Sequence, residues 1–242
     1  MESHDGTSVF VPAAEITNSL QPPRSEGDRP GIVMSLLRVI AYGYTGRFRK
    51  LNTLLNTLTS HRADHFPIIP CLLFGIPFSW GIFGRHLFEA GIIGGILLMA
   101  IFGMFTMIYA VIRAVLVVFG LSFAGVSFSL SDAFTTAGAS VAQMIIPAFG
   151  LAILHGRIDP HVTALVHSDP QATATATTVA WLLTVLLFAL PELVLTSNVY
   201  RTIREARKPG FAVIAYICFV GAGTSTISSL ALELLIDLLV HP

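Results

Sequence analysis

Long runs of uncharged, apolar residues constrain this chain more than any other feature of its sequence. A helix needs about 20 apolar residues to cross roughly 30 Å of hydrocarbon. Four uncharged runs are close to this length, and a fifth, which is about twice as long, is interrupted by Arg113 alone. Charged residues make up 12% of the chain, about half the usual share in a soluble domain. The sequence therefore predicts an all-α fold, a polytopic membrane helix bundle.

The run over residues 90–131 decides the number of spans. As one helix it would be about twice as long as a bilayer is thick, and no polar turn divides it into two full spans. We predict one span that ends near residue 117 and then a Gly- and Ser-rich connection, although 118–132 as part of a longer helix stays open. The five predicted transmembrane helices cover about residues 66–84, 90–117, 133–154, 171–195 and 210–232.

The distribution of Lys and Arg predicts an orientation, because cytoplasmic loops carry an excess of these residues. Basic residues concentrate before the first span and between the fourth and fifth spans. Five spans place both regions on one side, with the N-terminus in the cytoplasm and the C-terminus outside or in a lumen, whereas six spans would separate them. The candidate contacts to lipid headgroups or a partner are Arg47, Arg49, Lys50, Arg201, Arg204, Arg207 and Lys208.

Residues 1–65 differ from the apolar remainder of the chain. Residues 1–30 contain five acidic residues and no apolar period, so we interpret them as a flexible cytoplasmic tail and not as a signal peptide. Over residues 31–65, Leu and Val recur at helical spacing beside basic residues. This pattern is typical of a basic amphipathic helix in the headgroup plane, with packing on other parts of a cytoplasmic complex as the alternative. A five-span domain over 66–242 completes the organisation.

Two charged residues lie within or at the end of the apolar runs. Arg113 and Glu192 both fall near the predicted cytoplasmic ends of their spans, and intramembrane charges are functional candidates. The position of Arg113 favours an anchor whose long side chain snorkels to the headgroups. The alternative is an intramembrane polar pair between Arg113 and Glu192.

Small residues form a second pattern in the spans. Gly91 and Gly95 make a Gly-x-x-x-Gly pair in the second span, and Gly221 and Gly223 lie in the fifth. Such surfaces allow close helix approach in lipid. We expect packing within the bundle, with an interface to a partner as the alternative.

Histidines and carboxylates in the predicted outer loops are types that bind zinc, but their spacing matches no ligand pattern. We interpret them as solvated loop residues and predict neither a metal nor a cofactor. These loop residues are His86, His155, His161, His167, Asp159 and Asp169.

Hydrolase, metalloprotease and phosphate-loop motifs are absent, so we predict that the chain is not an enzyme. Its 14 basic and 14 acidic residues balance, which argues against nucleic-acid binding.

One stretch resembles a known family. Residues 125–134 read Gly-Val-Ser-Phe-Ser-Leu-Ser-Asp-Ala-Phe, and Pro147 follows within the third span. Together with a cytoplasmic tail and five clustered spans, this stretch resembles the Yip family of Ypt/Rab-interacting membrane proteins and its prokaryotic relatives. The resemblance would cover about residues 60–240, and it implies a non-enzymatic bundle that binds other membrane proteins.

Two classes of function stay open. We favour an adaptor or organiser that sits in the lipid bilayer and binds other membrane proteins, with a homo-oligomer as a further arrangement. The second class is a transport component, a small-solute carrier or permease subunit, in which Arg113, Gln143 and Glu192 line the path. An inverted repeat would favour a carrier, and five spans do not divide evenly.

Overall fold

The computed structural model describes residues 31–60, 65–89, 91–156, 158, 160–167, 169–204, 206–223 and 226. Over these ranges all regular structure is helical, which confirms the predicted all-α class. The described residues from Ile32 onward belong to one compact unit. The predicted tail and most of the second half of the predicted fifth span lie outside the described residues.

The helices are introduced here in chain order. They are α1 (Ile32–Tyr44), α2 (Phe48–Ser60), α3 (Ile68–Phe83), α4 (Gly91–Phe123), α5 (Leu130–Leu154), α6 (Pro160–His167), α7 (Pro170–Arg204) and α8 (Pro209–Tyr216). A 3₁₀ turn at Gly84–Phe88 joins α3 to α4, and α8 continues as a π-helix over Ile217–Ala222.

Three of the described helices, α4, α5 and α7, are long and apolar enough to cross a membrane. They contain 33, 25 and 35 residues, and thus extend for about 50, 38 and 53 Å. Helix α3 and the segment Pro209–Ala222 are apolar but shorter. Three such helices are consistent with a membrane protein, while the count of five spans stays a prediction.

Helix α4 extends beyond the predicted end of the second span. The span was expected to end near residue 117, but the helix runs to Phe123 and the connection to α5 is short. Gly120, which was expected in the connection, lies inside the helix and faces the segment that continues α8: a Cβ there would lie 3.1 Å from the Cβ of Phe219. The helix ends instead before Gly125, whose φ of 74° is a left-handed conformation that glycine adopts readily.

The segment predicted as an interfacial amphipathic helix folds as two helices, α1 and α2, separated by a turn at Gly46. Three of the four leucines of α2 are buried and pack in one cluster with Ala139 and Ala142 of α5 and with Val194 of α7. This stripe therefore covers the bundle of the same chain, a packing that was not among the expectations from sequence. The leucines concerned are Leu51, Leu55 and Leu58.

Helix α5 is central, because it packs against α1, α2, α3, α4 and α7. Small residues let its neighbours approach closely: a Cβ on Gly138 would lie 2.5 Å from the Cα of Pro67. A second close crossing joins α3 to α4, where a Cβ on Gly75 would lie 2.3 Å from the carbonyl oxygen of Met99. Close backbone approach of this kind stabilises helix pairs that the hydrophobic effect cannot drive together in lipid.

Candidate functional site

A polar stripe runs along the buried face of α5. Asp132, Thr136 and Ser140 follow each other at intervals of four residues and Gln143 comes three later, so all four share one helix face. Thr136, Ser140 and Gln143 are buried. Because buried polar groups require partners, this face determines which polar groups of the other helices lie against α5.

Among the described residues, a charged contact with a buried guanidinium joins α4 to α7. The Nη2 atom of Arg113 donates a hydrogen bond to Oε1 of Glu192, and Nη1 lies 3.5 Å from Oγ of Ser140 on the α5 stripe. The Arg113 side chain is 2% exposed and that of Glu192 is 53% exposed. The guanidinium also lies 6.0 Å from the ring centroid of Tyr109, within the range of a cation–π interaction.

The contacting residues lie at similar distances from the ends of their three helices. From the helical rise per residue, Arg113 lies about 15 Å from the C-terminal end of α4 and Ser140 lies about 15 Å from the N-terminal end of α5. Glu192 lies about 18 Å from the C-terminal end of α7. Arg113 was expected close to the end of its span because that span was predicted to end near residue 117, and the longer helix places the side chain deeper.

Gln143 of α5 forms two hydrogen bonds with α1. Its Nε2 atom donates to the carbonyl oxygen of Val39 at 2.9 Å, and its backbone carbonyl oxygen accepts from the hydroxyl of Tyr44 at 3.0 Å. A Cβ on Gly43 would lie 2.4 Å from the Gln143 side chain, so a larger residue there would displace the Gln143 amide. Burial raises the pKa of Tyr44 to about 12, so its hydroxyl remains a neutral donor at physiological pH.

A second polar contact lies between the charged pair and the end of α7. Nδ2 of Asn198 donates to Oγ1 of Thr136 at 2.5 Å. Nearby, Nδ2 of Asn52 on α2 donates to the carbonyl oxygen of Ser197 at 3.0 Å. These bonds join α2, α5 and α7 near the C-terminal end of α7.

A polar pocket of about 350 Å³ opens at this same end. Seven of its eight lining residues are polar, and they come from α2, from the connection before α5, from the first turn of α5 and from the last turns of α7. The stretch that carries the family resemblance supplies half of the lining: Ser127, Phe128, Ser129 and Asp132. The pocket was not predicted, although the close succession of polar side chains in this stretch was its signal in the sequence.

The first turn of α5 is capped by residues of the pocket. The backbone N–H of Asp132 donates to Oγ of Ser129 at 3.0 Å, and this hydroxyl donates to Oδ2 of Asp132 at 2.6 Å. Ser129 adopts an extended conformation, as an N-cap residue does. The cap holds the carboxylate of Asp132 at the edge of the pocket.

The candidate cations predicted from the sequence lie on the surface. The three around the α1–α2 turn and the four near the end of α7 are all exposed. Arg201 also lines the pocket. The cations are Arg47, Arg49, Lys50, Arg201, Arg204, Arg207 and Lys208.

The four candidate packing glycines divide into two pairs. A Cβ on Gly95 would lie 2.3 Å from the ring of Phe88, and one on Gly223 would lie 2.8 Å from Leu116, so both residues sit against their own chain. A Cβ on Gly91 or Gly221 would meet no atom within 4 Å. Close packing within the described part of the chain therefore involves Gly95 and Gly223.

The loop histidines do not converge on a metal site in the part of the chain that the structure describes, where no group of three His, Cys, Asp or Glu side chains could hold an ion. His86 pairs with Glu89 three residues later, and His155 and His161 are exposed. Asp159 and the side chain of His167 lie outside the described residues.

Comparison of the chain with models of protein families, with curated proteins and with solved structures returns no match.

Proposed function

We propose that this chain is a non-enzymatic integral membrane protein that acts as an adaptor and binds other membrane proteins at its cytoplasmic face. In this proposal five helices span the bilayer, the N-terminus is cytoplasmic and the C-terminus is outside or in a lumen. The α1–α2 segment enters from the cytoplasmic side and packs against the bundle as far as Gln143, about 20 Å from the N-terminal end of α5. The arrangement is similar to that expected of the Yip family.

The observation that carries the proposal is the exposure of the candidate cations. Four of them lie at or just after the C-terminal end of α7, where α2 is also bonded to α7 through Asn52. Exposed cations next to a membrane attract anionic lipids and acidic partner surfaces. A cationic surface of this kind supports the binding of partners without catalysing a reaction.

The interior of the bundle supports the same conclusion. The amide nitrogen of Gln143 donates a hydrogen bond to α1, Thr136 accepts one from Asn198, and Arg113 donates one to Glu192. A polar atom bonded to a structural partner offers little to a passing solute, because leaving that partner unpaired costs about 1–3 kcal/mol. Nε of Arg113 and Oε1 of Gln143 have no hydrogen-bond partner among the described residues. The polar groups named here thus support the packing of the helices.

Neutralisation of exposed cations tests the adaptor. We expect Arg204→Gln, Arg207→Gln and Lys208→Gln together to weaken partner binding about tenfold, at roughly 0.5 kcal/mol for each exposed charge pair. Cross-linking in cells followed by purification in mild detergent measures recovery of each bound membrane protein. The matched control, Arg204→Lys with Arg207→Lys, keeps the charge and should keep the partners. Equal recovery from the neutralised and control chains would contradict the proposal.

The second candidate function is transport. The Arg113–Glu192 pair favours it, because the carboxylate is half exposed while the guanidinium is buried. A carrier would lose solute flux in proteoliposomes when Glu192 is replaced by Gln. An adaptor would show no flux that depends on Glu192, and the same variant would still recover its partners. The two measurements on one variant thus separate the two functions.

A further inference from the structure

The pocket at the end of α7 has a charge pattern suited to a particular ligand. Among the described lining residues, Asp132 supplies the one carboxylate and Arg201 the one guanidinium, while amides and hydroxyls make up most of the rest. A simple anion would meet the charge of Asp132, and a simple cation would meet that of Arg201. A zwitterion satisfies both, since each of its charges can make a charge-assisted hydrogen bond.

Both charged side chains have capacity for a ligand. The Asp132 carboxylate accepts from the hydroxyl of Ser129, and an ionised carboxylate offers about four acceptor sites. The guanidinium of Arg201 carries five N–H donors, so it can hold a phosphate besides a partner within the chain. The amides of Asn56 and Asn198 add both donors and acceptors to the walls.

The pocket lies where helices proposed to span the membrane meet the headgroup layer. Asp132 is in the first turn of α5 and Arg201 is in the last turn of α7, within about 5 Å of the helix ends. A volume of about 350 Å³ is at the lower end of small-ligand sites and suits a headgroup whose acyl chains remain in the bilayer.

We propose that this pocket binds the headgroup of an aminophospholipid of the ethanolamine type, with the phosphate on Arg201 and the primary ammonium on Asp132. A primary ammonium carries three N–H donors, which the carboxylate and the amide oxygens of the pocket can accept. A choline headgroup has no such donor and is recognised by aromatic cages, whereas Phe128 is the single aromatic residue among the described lining residues.

Isothermal titration of the purified full chain in detergent tests the site with short-chain phosphatidylethanolamine and short-chain phosphatidylcholine as probes. We expect the ethanolamine lipid to bind about tenfold or more tightly than the choline lipid. Asp132→Asn and Arg201→Gln should each weaken its binding by about tenfold or more, because each removes a charge-assisted hydrogen bond. The matched controls Asp169→Asn and Arg38→Gln, which change charges outside the pocket, should bind it as the unmodified chain does.

Several results would overturn the assignment. Equal affinity for the two lipids would remove the role of the ammonium, and unchanged or tighter binding by Asp132→Asn would indicate a plain anion site. Free phosphoethanolamine that binds as tightly as the lipid would identify a soluble ligand instead. If either pocket variant fails to fold in size-exclusion chromatography, the comparison of the two lipids on the unmodified chain still decides.

The inference rests on the membrane placement proposed above, and the two can fail separately. Labelling of the two ends of α7 from either side of the membrane tests the placement without any added lipid. A chain that spans the membrane but binds the two lipids equally refutes the headgroup site alone.

Discussion

The pairing of Arg113 with Glu192 makes the sharpest energetic prediction. Replacing Glu192 by Ala leaves a guanidinium that is 2% exposed, with Ser140 as its remaining hydrogen-bond contact among the described residues. Removing one partner of a fully buried ion pair costs about 3–5 kcal/mol. Because the Glu192 side chain is 53% exposed, the protein encloses only part of this pair, and we expect a smaller cost of about 2 kcal/mol.

A double-mutant cycle isolates the interaction. The chains Arg113→Ala, Glu192→Ala and the double variant are unfolded in mild detergent, and the free energy of unfolding is compared across the cycle. We expect a coupling free energy of about 2 kcal/mol, within the range of contacting charged residues. Charge exchange, Arg113→Glu with Glu192→Arg, should recover part of the stability that either single exchange loses.

The cycle has a clear negative outcome. If the two Ala substitutions add to within about 0.5 kcal/mol, the residues behave as independent sites and the reasoning from burial is refuted. Arg204→Ala serves as the control, because this exposed residue at the end of α7 has no ion pair in the described structure. That substitution should change the free energy of unfolding by less than about 0.5 kcal/mol.

Two further predictions concern the docking of α1. Gly43→Ala places a Cβ 2.4 Å from Gln143 and should cost about 1–3 kcal/mol by overpacking, whereas Gly81→Ala, which meets no atom within 4 Å, should not. Hydrogen exchange of the α1 amides measures both, and equal protection in the two variants would contradict the packing. Tyr44 has a folded-state pKa of about 12, above its ordinary value of 10.0, so its contribution to stability is complete below pH 10 and is lost as the pH rises towards 12. In a spectrophotometric titration of tyrosinate absorbance, the step that Tyr44→Phe removes should be centred near pH 12, and a missing step centred near pH 10 would contradict the burial of the hydroxyl.

Composition and periodicity are enough to predict the helical class, because apolar runs of this length leave few alternatives. They fail at the end of α4, where Gly120 resembles a connection in sequence but faces Phe219 across a close contact. The residue type alone does not distinguish a glycine that permits close packing from one that ends a helix, because the neighbour that distinguishes them lies far along the chain.

The candidate site was predictable in part. Spacing along the chain brings Arg113 and Glu192 to similar depths, but it does not show that Ser140 joins them or that α2 covers the bundle. The role of Gln143 is also invisible in sequence, because its partner is a backbone carbonyl, at Val39, 104 residues away. Contacts to backbone groups leave no pattern of residue types to read.

Labelling of single cysteines tests the central claim, that α7 crosses the membrane with its C-terminal end in the cytoplasm, most directly. In a Cys71→Ala, Cys218→Ala background, Ala164→Cys precedes α7 and Arg207→Cys follows it, and both positions are exposed. The two sites lie at opposite ends of a 35-residue helix. With a maleimide that cannot cross membranes, we expect intact cells to label position 164 and to leave position 207 unlabelled until the membrane is permeabilised. Labelling of both positions from the same side would contradict the account.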